Sequence, residues 1–380
     1  MAPCLIVTST AMPHTPPPPP ALAQRLARVR QHFDDCIVPL WQGPGWNAEL
    51  ALPFEALAAD HRPEPVKRYR AMACARQLYL FSSRLQRPGA AQRAAALFDS
   101  LQRHFVDTGH GGWFYSIDAQ GQPLDRCKDL YTHAFILFAC AHYWGQVREP
   151  RVLAVVEEVL RQIETRFRRD DGLYEANLGE DWSGLGSGPL QNPLMHLTEA
   201  FLQVLAVRDD AAVQRALLTL CDALQRQFID PACGVMLEKP LGAVDNWFEP
   251  GHQFEWFFLL DTSPLLRGGA LHQAIDRAFA HAERHGVQGT AVVATLTPEG
   301  RVLDATQRIW AKAEYLRALT LRPEANDRLL RQLTALETEF LHAGGWHECR
   351  NADGAVSRHD MPSTTPYHLA TALEGLRRIG

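Results

Sequence analysis

The sequence predicts an all-α fold, an (α/α)6 barrel of about twelve helices, on three observations. Helix-forming residues such as Ala, Leu, Arg and Gln dominate the 380 residues, whereas β-branched runs are short. Apolar residues recur at three- and four-residue steps from Leu22 onward. Glycine-containing breaks interrupt this pattern at intervals of about 45 to 65 residues, a period that two helices and their loops would fill.

The breaks define the repeating unit. They are Gly111-Gly112-Trp113, Asp171-Gly172-Leu173, Cys233-Gly234-Val235, Glu299-Gly300-Arg301 and Gly344-Gly345-Trp346. Each is expected to be a turn inside a hairpin of two helices, which gives about six hairpins. Six hairpins can close into a ring with an inner and an outer layer of helices. An open α-solenoid is the alternative, and it would need a polar cap at each end.

The first residues are expected to stand apart from the barrel. Pro16 to Pro20 predict a polyproline stretch, so residues 1–21 are interpreted as a flexible Pro-rich tail and residues 22–380 as a single catalytic domain. The apolar piece Leu5 to Val7 is too short for a signal peptide, and no run is long enough to span a membrane. These features favour a cytoplasmic protein without a membrane partner.

The net charge and the spacing of the cysteines limit the kinds of partner and metal that the protein is expected to bind. The net charge of −5 and the lack of a basic stripe argue against nucleic acid. The eight cysteines are scattered without a CxxC pair, which is typical of reduced core cysteines and not of a zinc site. The oligomeric state, monomer or homo-oligomer, is left open by the sequence.

Polar and aromatic residues interrupt helices that are otherwise apolar, often near the predicted helix start. In a closed barrel these starts would converge on one pocket, and His, Glu, Arg and aromatic side chains together suit a neutral polyhydroxylated ligand. The candidates are Arg76, Tyr131, His133, Asn192, His196, Glu199, His252, Glu255, Trp310, Glu314 and His368.

Two of these candidates have features expected of a proton-transferring residue. His252 follows Pro250-Gly251 at a helix entry, where the helix dipole favours neutral imidazole, whereas Glu255 on the same face would raise the pKa of His252. A pKa near neutrality is what proton transfer needs. His368 likewise follows a proline at the start of the last helix.

These residues resemble the N-acylglucosamine 2-epimerase superfamily, which includes cellobiose 2-epimerases, mannose isomerases and sulfoquinovose isomerases. The resemblance runs from about Arg76 to Leu373. It is carried by Lys128-Asp129-Leu130-Tyr131 with Ala134-Phe135, by Asn192 with Met195-His196-Leu197 and Glu199-Ala200, by Gly251-His252 with Glu255-Trp256, by Trp310 with Glu314, and by Tyr367-His368.

The resemblance implies an (α/α)6 barrel that acts on a monosaccharide without a cofactor or metal, with His252 and His368 as the catalytic pair. It implies a sugar site formed by Arg76, Tyr131, Asn192, His196, Glu255 and Trp310, to which His133 and Glu199 are added as further candidates. The stretch Met361-Pro362-Ser363-Thr364-Thr365-Pro366, the lack of an arginine just after His368, and the Tyr131-x-His133 pair are more similar to the mannose isomerase branch. Lys312 departs from the glutamine that many members carry there, which puts local substrate contacts in doubt.

The expected reaction is aldose–ketose isomerisation, with D-mannose and D-fructose as the leading pair. His368 is expected to move the C2 proton to C1, and His252 to open the ring and shuttle the O1 and O2 protons, although the two roles could be exchanged. Arg76 would stabilise the enediolate oxygen. If both histidines act at C2, the same site would be a sugar 2-epimerase of the mannose/glucose, N-acylglucosamine or cellobiose type.

Three other classes are less favoured by the residues. A glycosidase could use Glu199, Glu255 and Glu314 as paired carboxylates, but the many histidines at helix starts argue against it. A metal site could use the two His-x-x-Glu pairs, although helical carboxylate sites use the reverse order. A sugar-binding protein without catalysis is the third.

Overall fold

The computed structural model describes residues 19–378, which begin with the first helix and end after the last. Its α-helices are α1 (Pro20–His32), α2 (Val38–Gln42), α3 (Ala71–Ser82), α4 (Ala90–Phe105), α5 (Leu130–Val147), α6 (Pro150–Gln162), α7 (Gln191–Val207), α8 (Ala211–Gln227), α9 (Pro250–Thr262), α10 (Ala270–Gly286), α11 (Ile309–Leu319), α12 (Asn326–Ala335) and α13 (Thr365–Gly375). A π-helical turn, Phe33–Ile37, joins α1 and α2 into one continuous helix. Similar turns, Ile163–Phe167 and Leu336–Phe340, extend α6 and α12.

The helices form two concentric layers. Within residues 19–378 the inner layer consists of α3, α5, α7, α9, α11 and α13, and the outer layer of the joined α1–α2 helix, α4, α6, α8, α10 and α12. Neighbouring inner helices pack against one another in chain order, and α13 packs against α3. This last contact closes the ring, so the predicted (α/α)6 barrel is confirmed and the open solenoid is excluded.

The two layers differ in their sequence pattern for a physical reason. An outer helix buries one stripe, as α10 does with residues at three- and four-residue steps, from Leu271 and Ala274 to Phe279 and Ala282. An inner helix is enclosed on every side, and all twelve residues of α3 are buried. Because a polar side chain costs free energy in such a helix unless it finds a partner, the polar residues of the inner layer mark the candidate site.

Connections at the two ends of the barrel have different lengths. The carboxyl ends of the first five inner helices are each joined to the next outer helix by a short connection, such as residues 148–149 and 208–210. The return to the next inner helix is long, as in residues 228–249 and 341–364. The predicted glycine breaks all lie in these long loops. The amino-terminal ends of the inner helices are therefore surrounded by extended chain.

Short strands within the long loops were not part of the all-α prediction. They are β1 (Trp46–Asn47), β2 (Leu52–Pro53), β3 (Ala56–Leu57), β4 (Tyr69–Arg70), β5 (Ser116–Ile117), β6 (Pro123–Asp125), β7 (Lys128–Asp129), β8 (Asn177–Leu178), β9 (Val287–Gln288), β10 (Ala291–Leu296), β11 (Val302–Arg308), β12 (Leu341–His342), β13 (Gly345–Trp346), β14 (Cys349–Arg350), β15 (Val356–Arg358) and β16 (Met361–Pro362). The largest sheet has the antiparallel order β15-β14-β11-β10-β9, with Val293 opposite Gln307. It fixes the chain that leads into α11.

The remaining predictions about the chain concern its start, its cysteines and membranes. Residues 1–18 of the predicted tail lie outside the described part, and α1 begins at Pro20, just before the predicted boundary at residue 22. Leu22 is already buried. The cysteines of the described part are free: Cys36, Cys74, Cys127, Cys140, Cys221, Cys233 and Cys349. Across residues 19–378, no helix combines the length and apolarity needed to cross a membrane.

Candidate active site

A polar cavity of about 180 Å³ opens at the amino-terminal ends of the inner helices. Every inner helix contributes to it, and so do the loops that precede α9, α11 and α13. The lining residues are Arg76, Tyr131, Asn192, His196, Glu249, His252, Glu255, Arg308, Trp310, Glu348, Thr364, Thr365 and His368. The cavity lies where the sequence analysis expected the helix starts to converge.

Most of the predicted site residues lie in this cavity. Those that line it are Arg76, Tyr131, Asn192, His196, His252, Glu255, Trp310 and His368. His133 and Glu199 do not line it. Both are buried, and each contacts other parts of the protein.

His133 supports a loop beside the cavity. Its Nδ1 donates a hydrogen bond to the carbonyl of Asp129 at 2.8 Å, and its Nε2 accepts the backbone N–H of Trp113 at 3.3 Å. Its ring packs against Trp182. Burial lowers the pKa of His133 to about 4, so the ring is neutral and both nitrogens have protein partners. This places His133 as a structural residue and not in contact with the cavity.

The first histidine pair is formed by His252, on the first turn of α9, and Glu238, on the loop before it. His252 Nδ1 donates to Glu238 Oε1 at 2.7 Å. Burial alone would lower the pKa of His252, but the carboxylates of Glu238 and Glu249 outweigh it and raise that pKa to about 9. His252 therefore carries a proton at neutral pH and can act as an acid.

The second histidine pair joins the starts of two inner helices. His368 Nδ1, on α13, donates to Glu314 Oε1, on α11, at 2.8 Å. Burial lowers the pKa of His368 well below its usual value, and the guanidinium of Arg76 lowers it further. With Nδ1–H bound to Glu314, Nε2 keeps a free lone pair. His368 can therefore act as a base at neutral pH.

Trp310 packs against both imidazoles. The centre of its ring lies 5.1 Å from that of His252 and 5.5 Å from that of His368. Gly251 permits this arrangement, because a Cβ at that position would lie 2.6 Å from the Trp310 ring. An aromatic ring that lines the cavity beside an acid and a base is a suitable platform for the C–H face of a sugar.

Glu255 also lines the cavity, from the same helix, α9, as His252. It is fully buried, and within the described protein neither of its carboxyl oxygens has a hydrogen-bond partner. Burial raises the pKa of Glu255 well above its usual value, and the nearby carboxylates of Glu314 and Glu199 raise it further. Both effects favour the protonated form of Glu255, which can donate a hydrogen bond to a ligand oxygen.

Arg76 supplies a fixed positive charge to the cavity wall. Its Nη2 donates to the hydroxyl of Tyr131 at 2.6 Å. The guanidinium lies over the rings of Phe135 and Tyr367, at 4.2 and 4.9 Å from their centres. Aromatic faces hold the charge in place without neutralising it, so it is available for an oxyanion.

Several lining residues were missed by the sequence analysis. They are Glu249, Arg308, Glu348, Thr364 and Thr365, together with Glu238, the partner of His252. Most lie in the long loops, where no helical spacing identifies them. Arg308 and the two threonines do adjoin motifs that the sequence showed, just before Trp310 and just before His368.

Four groups of His, Asp and Glu among the described residues bring possible metal-ligand atoms within 4.8 Å of one another. They are Asp107 with His110 and Glu180, His196 with Glu199 and Glu255, Glu238 with Glu249 and His252, and Glu255 with Glu314 and His368. The groups already hold cationic partners. Lys128 binds Asp107 at 2.6 Å, protonated His252 binds Glu238, and Arg317 Nη1 binds Glu314 at 3.2 Å. A metal ion would have to displace these contacts.

The fold and cavity define a class of helical-barrel enzyme with histidine acid/base groups at the ends of the inner helices. The chain belongs to the N-acylglucosamine 2-epimerase (GlcNAc 2-epimerase) family, whose sequence profile matches residues 53–372. The family resemblance inferred from the motifs is thereby confirmed. The family comprises sugar epimerases and isomerases, so the protein is an enzyme of that kind.

Individual relatives agree with this assignment. A protein of Rhizobium meliloti (strain 1021) named mannose-6-phosphate isomerase is 31% identical over 379 residues, which cover 90% of this chain and 94% of that protein. The structure of cellobiose 2-epimerase from Bacillus thermoamylovorans B4167 matches with a TM-score of 0.85 at 19% identity, covering 94% of this chain and all of that one. A crystal structure of D-mannose isomerase matches with a TM-score of 0.80 at 18% identity, covering 92% and 97%.

Proposed function

We propose that the protein is a cofactor-independent aldose–ketose isomerase that interconverts D-mannose and D-fructose. The observation that carries the proposal is a pair of histidines on one cavity, each with its Nδ1 bound to a carboxylate but with different charged neighbours. The pKa of His252 is raised to about 9, whereas the pKa of His368 is lowered well below its usual value. At neutral pH the cavity thus holds one acid and one base, which proton transfer through an enediol requires.

The reaction follows from these two states. His252 donates its proton to the ring oxygen and takes up the proton of the O1 hydroxyl as the bond from C1 to the ring oxygen breaks, so the sugar opens to the aldehyde and His252 is protonated again. His368 Nε2 then removes the proton from C2, the C2–H electrons form the C1=C2 bond, and O1 takes a proton from His252. In the second half His252 removes the proton from O2, C2=O forms, and His368 returns its proton to C1. The ketose leaves and both histidines regain their starting states.

Two further groups support the enediol. Arg76 faces the cavity with a permanent charge and would stabilise the oxygen on which negative charge develops. Protonated Glu255 would donate a hydrogen bond to a sugar oxygen, which also satisfies its otherwise unpartnered carboxyl group. Tyr131, Asn192, His196 and Trp310 complete the proposed sugar site.

Isomerisation is favoured over epimerisation by the relatives and the motifs. The relative that is 31% identical over 90% of this chain is named as an isomerase, and the Pro362-to-Pro366 stretch resembles mannose isomerases. The same cavity also supports 2-epimerisation as a second candidate, because protonated His252 could return a proton to C2 from the opposite face. The identity of the product separates the two reactions.

An unphosphorylated sugar is favoured by the charges of the cavity. Phosphate sites usually combine several free cationic groups. Here Arg308 Nη1 lies 3.5 Å from Glu249 Oε2, and Arg76 is needed for the enediolate. Glu249, Glu255 and Glu348 also line the cavity. We therefore propose D-mannose rather than its 6-phosphate as the substrate, although the Rhizobium meliloti relative is named for the phosphorylated sugar.

The test uses purified protein treated with EDTA and then incubated with D-mannose in D2O, with products followed by NMR. D-fructose as the main early product, formed at the same rate before and after EDTA, is the expected result. D-glucose as the main early product would establish the 2-epimerase instead. If none of a panel of aldoses and disaccharides turns over, the proposal is wrong.

A further inference from the structure

A second cavity, of about 740 Å³, lies at the other end of the inner barrel. Here we call it the distal cavity. It is formed at the carboxyl ends of the inner helices, and its wall includes Tyr79, Phe138, Glu199, Phe258, Arg317 and Thr371. The polar cavity described above, here called the sugar cavity, is separated from the distal cavity by a buried layer of charged side chains. The central cation of this layer is Arg317.

Arg317 lies on α11, one turn after Glu314, and is almost completely buried. Its Nη1 donates to Glu314 Oε2 at 3.2 Å, and its Nη2 lies 3.7 Å from Glu199 Oε1. The guanidinium is held over the ring of Phe258, 4.1 Å from its centre. One cation therefore serves two carboxylates on two different helices.

Each of these carboxylates binds a histidine of the sugar cavity. Glu314 Oε1 accepts from His368 Nδ1 at 2.8 Å, and Glu199 Oε2 accepts from His196 Nδ1 at 3.2 Å. Both histidines line the sugar cavity, whereas Glu199 and Arg317 line the distal cavity. A continuous path of contacts thus runs from Arg317 to the Nδ1 atoms of two site histidines.

The protonation of Glu314 decides what His368 can do. If Glu314 is ionised, it accepts from Nδ1–H and leaves the Nε2 lone pair for the substrate. If Glu314 is protonated, it donates to Nδ1 instead, so the remaining imidazole proton moves to Nε2 and blocks the base. Burial raises the pKa of Glu314, and the charge of Arg317 opposes that rise.

Other charged and titratable groups also face this pair. They come from α3, α7, α9 and α13 and are Arg76, His196, Glu199, Glu255 and Tyr367. The charge of Glu199 disfavours ionisation of Glu314, and Arg76 lines the sugar cavity. Among the described residues, Arg317 is the cation in direct hydrogen-bond contact with Glu314.

We propose that Arg317 is the positioning residue of the active site: by binding Glu314 and Glu199 from the distal side, it holds His368 and His196 in the Nδ1–H tautomer. The expected effect of Arg317 on turnover rests on the proposed function, whereas its effect on the tautomers of His368 and His196 does not. Arg317 does not touch the sugar cavity, so its effect must pass through the two carboxylates.

The experiment compares Arg317→Met and Arg317→Lys with wild type. The matched control is Arg378→Met, because Arg378 lines the same distal cavity and lies over the same Phe258 ring, at 5.6 Å, without an ion pair to Glu199 or Glu314 in the described structure. The first measurement is ¹⁵N NMR of the histidine side chains without substrate. Wild type, Arg317→Lys and Arg378→Met should show the Nδ1–H tautomer of His368 at pH 7, and Arg317→Met the Nε2–H tautomer.

The second measurement is the pH dependence of turnover on whichever hexose the enzyme converts. Arg317→Met should lower kcat by about 10²-fold at pH 7 with little change in KM, and its acidic limb should move to higher pH. A purely structural defect would lower kcat without moving that limb. Methylguanidinium added to Arg317→Met should restore turnover without competing with the sugar, because it can enter through the distal cavity.

The NMR measurement and the turnover measurement test different claims, so each can be contradicted without the other. An Nε2–H tautomer of His368 in wild type at pH 7, or an unchanged tautomer in folded Arg317→Met, would overturn the role of Arg317 whatever the substrate is. If Arg317→Met does not fold, the wild-type tautomer and the Arg317→Lys profile still decide the matter. A lack of turnover on all sugars would refute the proposed function and leave the NMR result standing.

Discussion

His252 and His368 form two pairs with carboxylates that are nearly identical in geometry, with Nδ1-to-oxygen distances of 2.7 and 2.8 Å. Their surroundings differ. Glu238 has a second carboxylate, Glu249, beside it, and together they raise the pKa of His252 to about 9. The carboxylate of His368 is bound by Arg317, and the pKa of His368 is lowered.

The comparison shows that a histidine–carboxylate distance does not assign an acid or a base. The difference in protonation between His252 and His368 comes from the other charged groups around each histidine–carboxylate pair. An extra anion beside the first pair favours the imidazolium, whereas Arg76 and Arg317 near the second pair oppose it. Burial then favours the neutral ring. The predictions that follow alter one side of this comparison at a time.

The largest effect is expected from His368→Gln, which removes the base and keeps a side chain of similar size. Turnover should fall by about 10³–10⁴-fold, and exchange of the C2 hydrogen with D2O should be lost with it. The matched control is His272→Gln, because His272 Nε2 also pairs with a carboxylate, Asp261, at 3.1 Å but does not line the sugar cavity. A His368→Gln enzyme that still exchanges C2–H would require another base.

Next in size is discrimination against the phosphorylated sugar, which tests the anionic side of the comparison. The His252 side of the cavity contains Glu238 and Glu249, and Arg308 is paired with Glu249. A phosphate there would meet carboxylates and an occupied cation, so kcat/KM for D-mannose 6-phosphate should be at least about 10²-fold below that for D-mannose. Steady-state kinetics with both sugars measures this. Equal or higher kcat/KM for the phosphate would refute the argument from charge.

A smaller effect is expected from Glu238→Gln, which keeps the shape of the His252 pair and removes its charge. Because the pKa of His252 is raised, its protonated form is present at neutral pH and is lost as pH rises through about 9. Without the carboxylate, the basic limb of the kcat profile should move to lower pH by about one unit or more, equivalent to about 1.4 kcal/mol. Turnover at pH 8 should therefore fall while turnover at pH 6 changes little. A basic limb that stays near pH 9 would show that another group sets it.

The architecture was predictable from the sequence because it depends on repetition. Helical stripes and glycine breaks recur with a regular period, and closure follows from the number of hairpins. Most predicted site residues were found because a polar side chain at the start of a fully buried helix is unusual. His252 and Glu255 on α9 are examples. The same argument brought in His133, which is buried at a helix start but binds a loop.

The rest depends on contacts between segments distant in sequence. Glu238 lies in a loop without helical spacing, 14 positions before His252, and only the folded chain brings it next to that histidine. Arg317 has the sequence signature of an ordinary helix residue three positions after Glu314. Its role depends on Glu199 from another helix, which lies 118 positions earlier in the chain (317 − 199). Protonation, unlike fold, is set by such long-range neighbours.

The smallest effect is expected from Gly251→Ala, which changes the spacing between the two pairs rather than their charge. The added Cβ would lie 2.6 Å from the Trp310 ring and 2.9 Å from Ala311, so α9 and α11 must separate slightly. Overpacking of this kind should lower the free energy of unfolding by about 1–3 kcal/mol, measured by urea denaturation. Gly184→Ala is the control, because nothing lies within 4 Å of a Cβ there. Since Trp310 packs against both the acid and the base, the same variant should lose kcat without moving either limb of its pH profile. A moved limb would instead mean that the two pairs are coupled through Trp310.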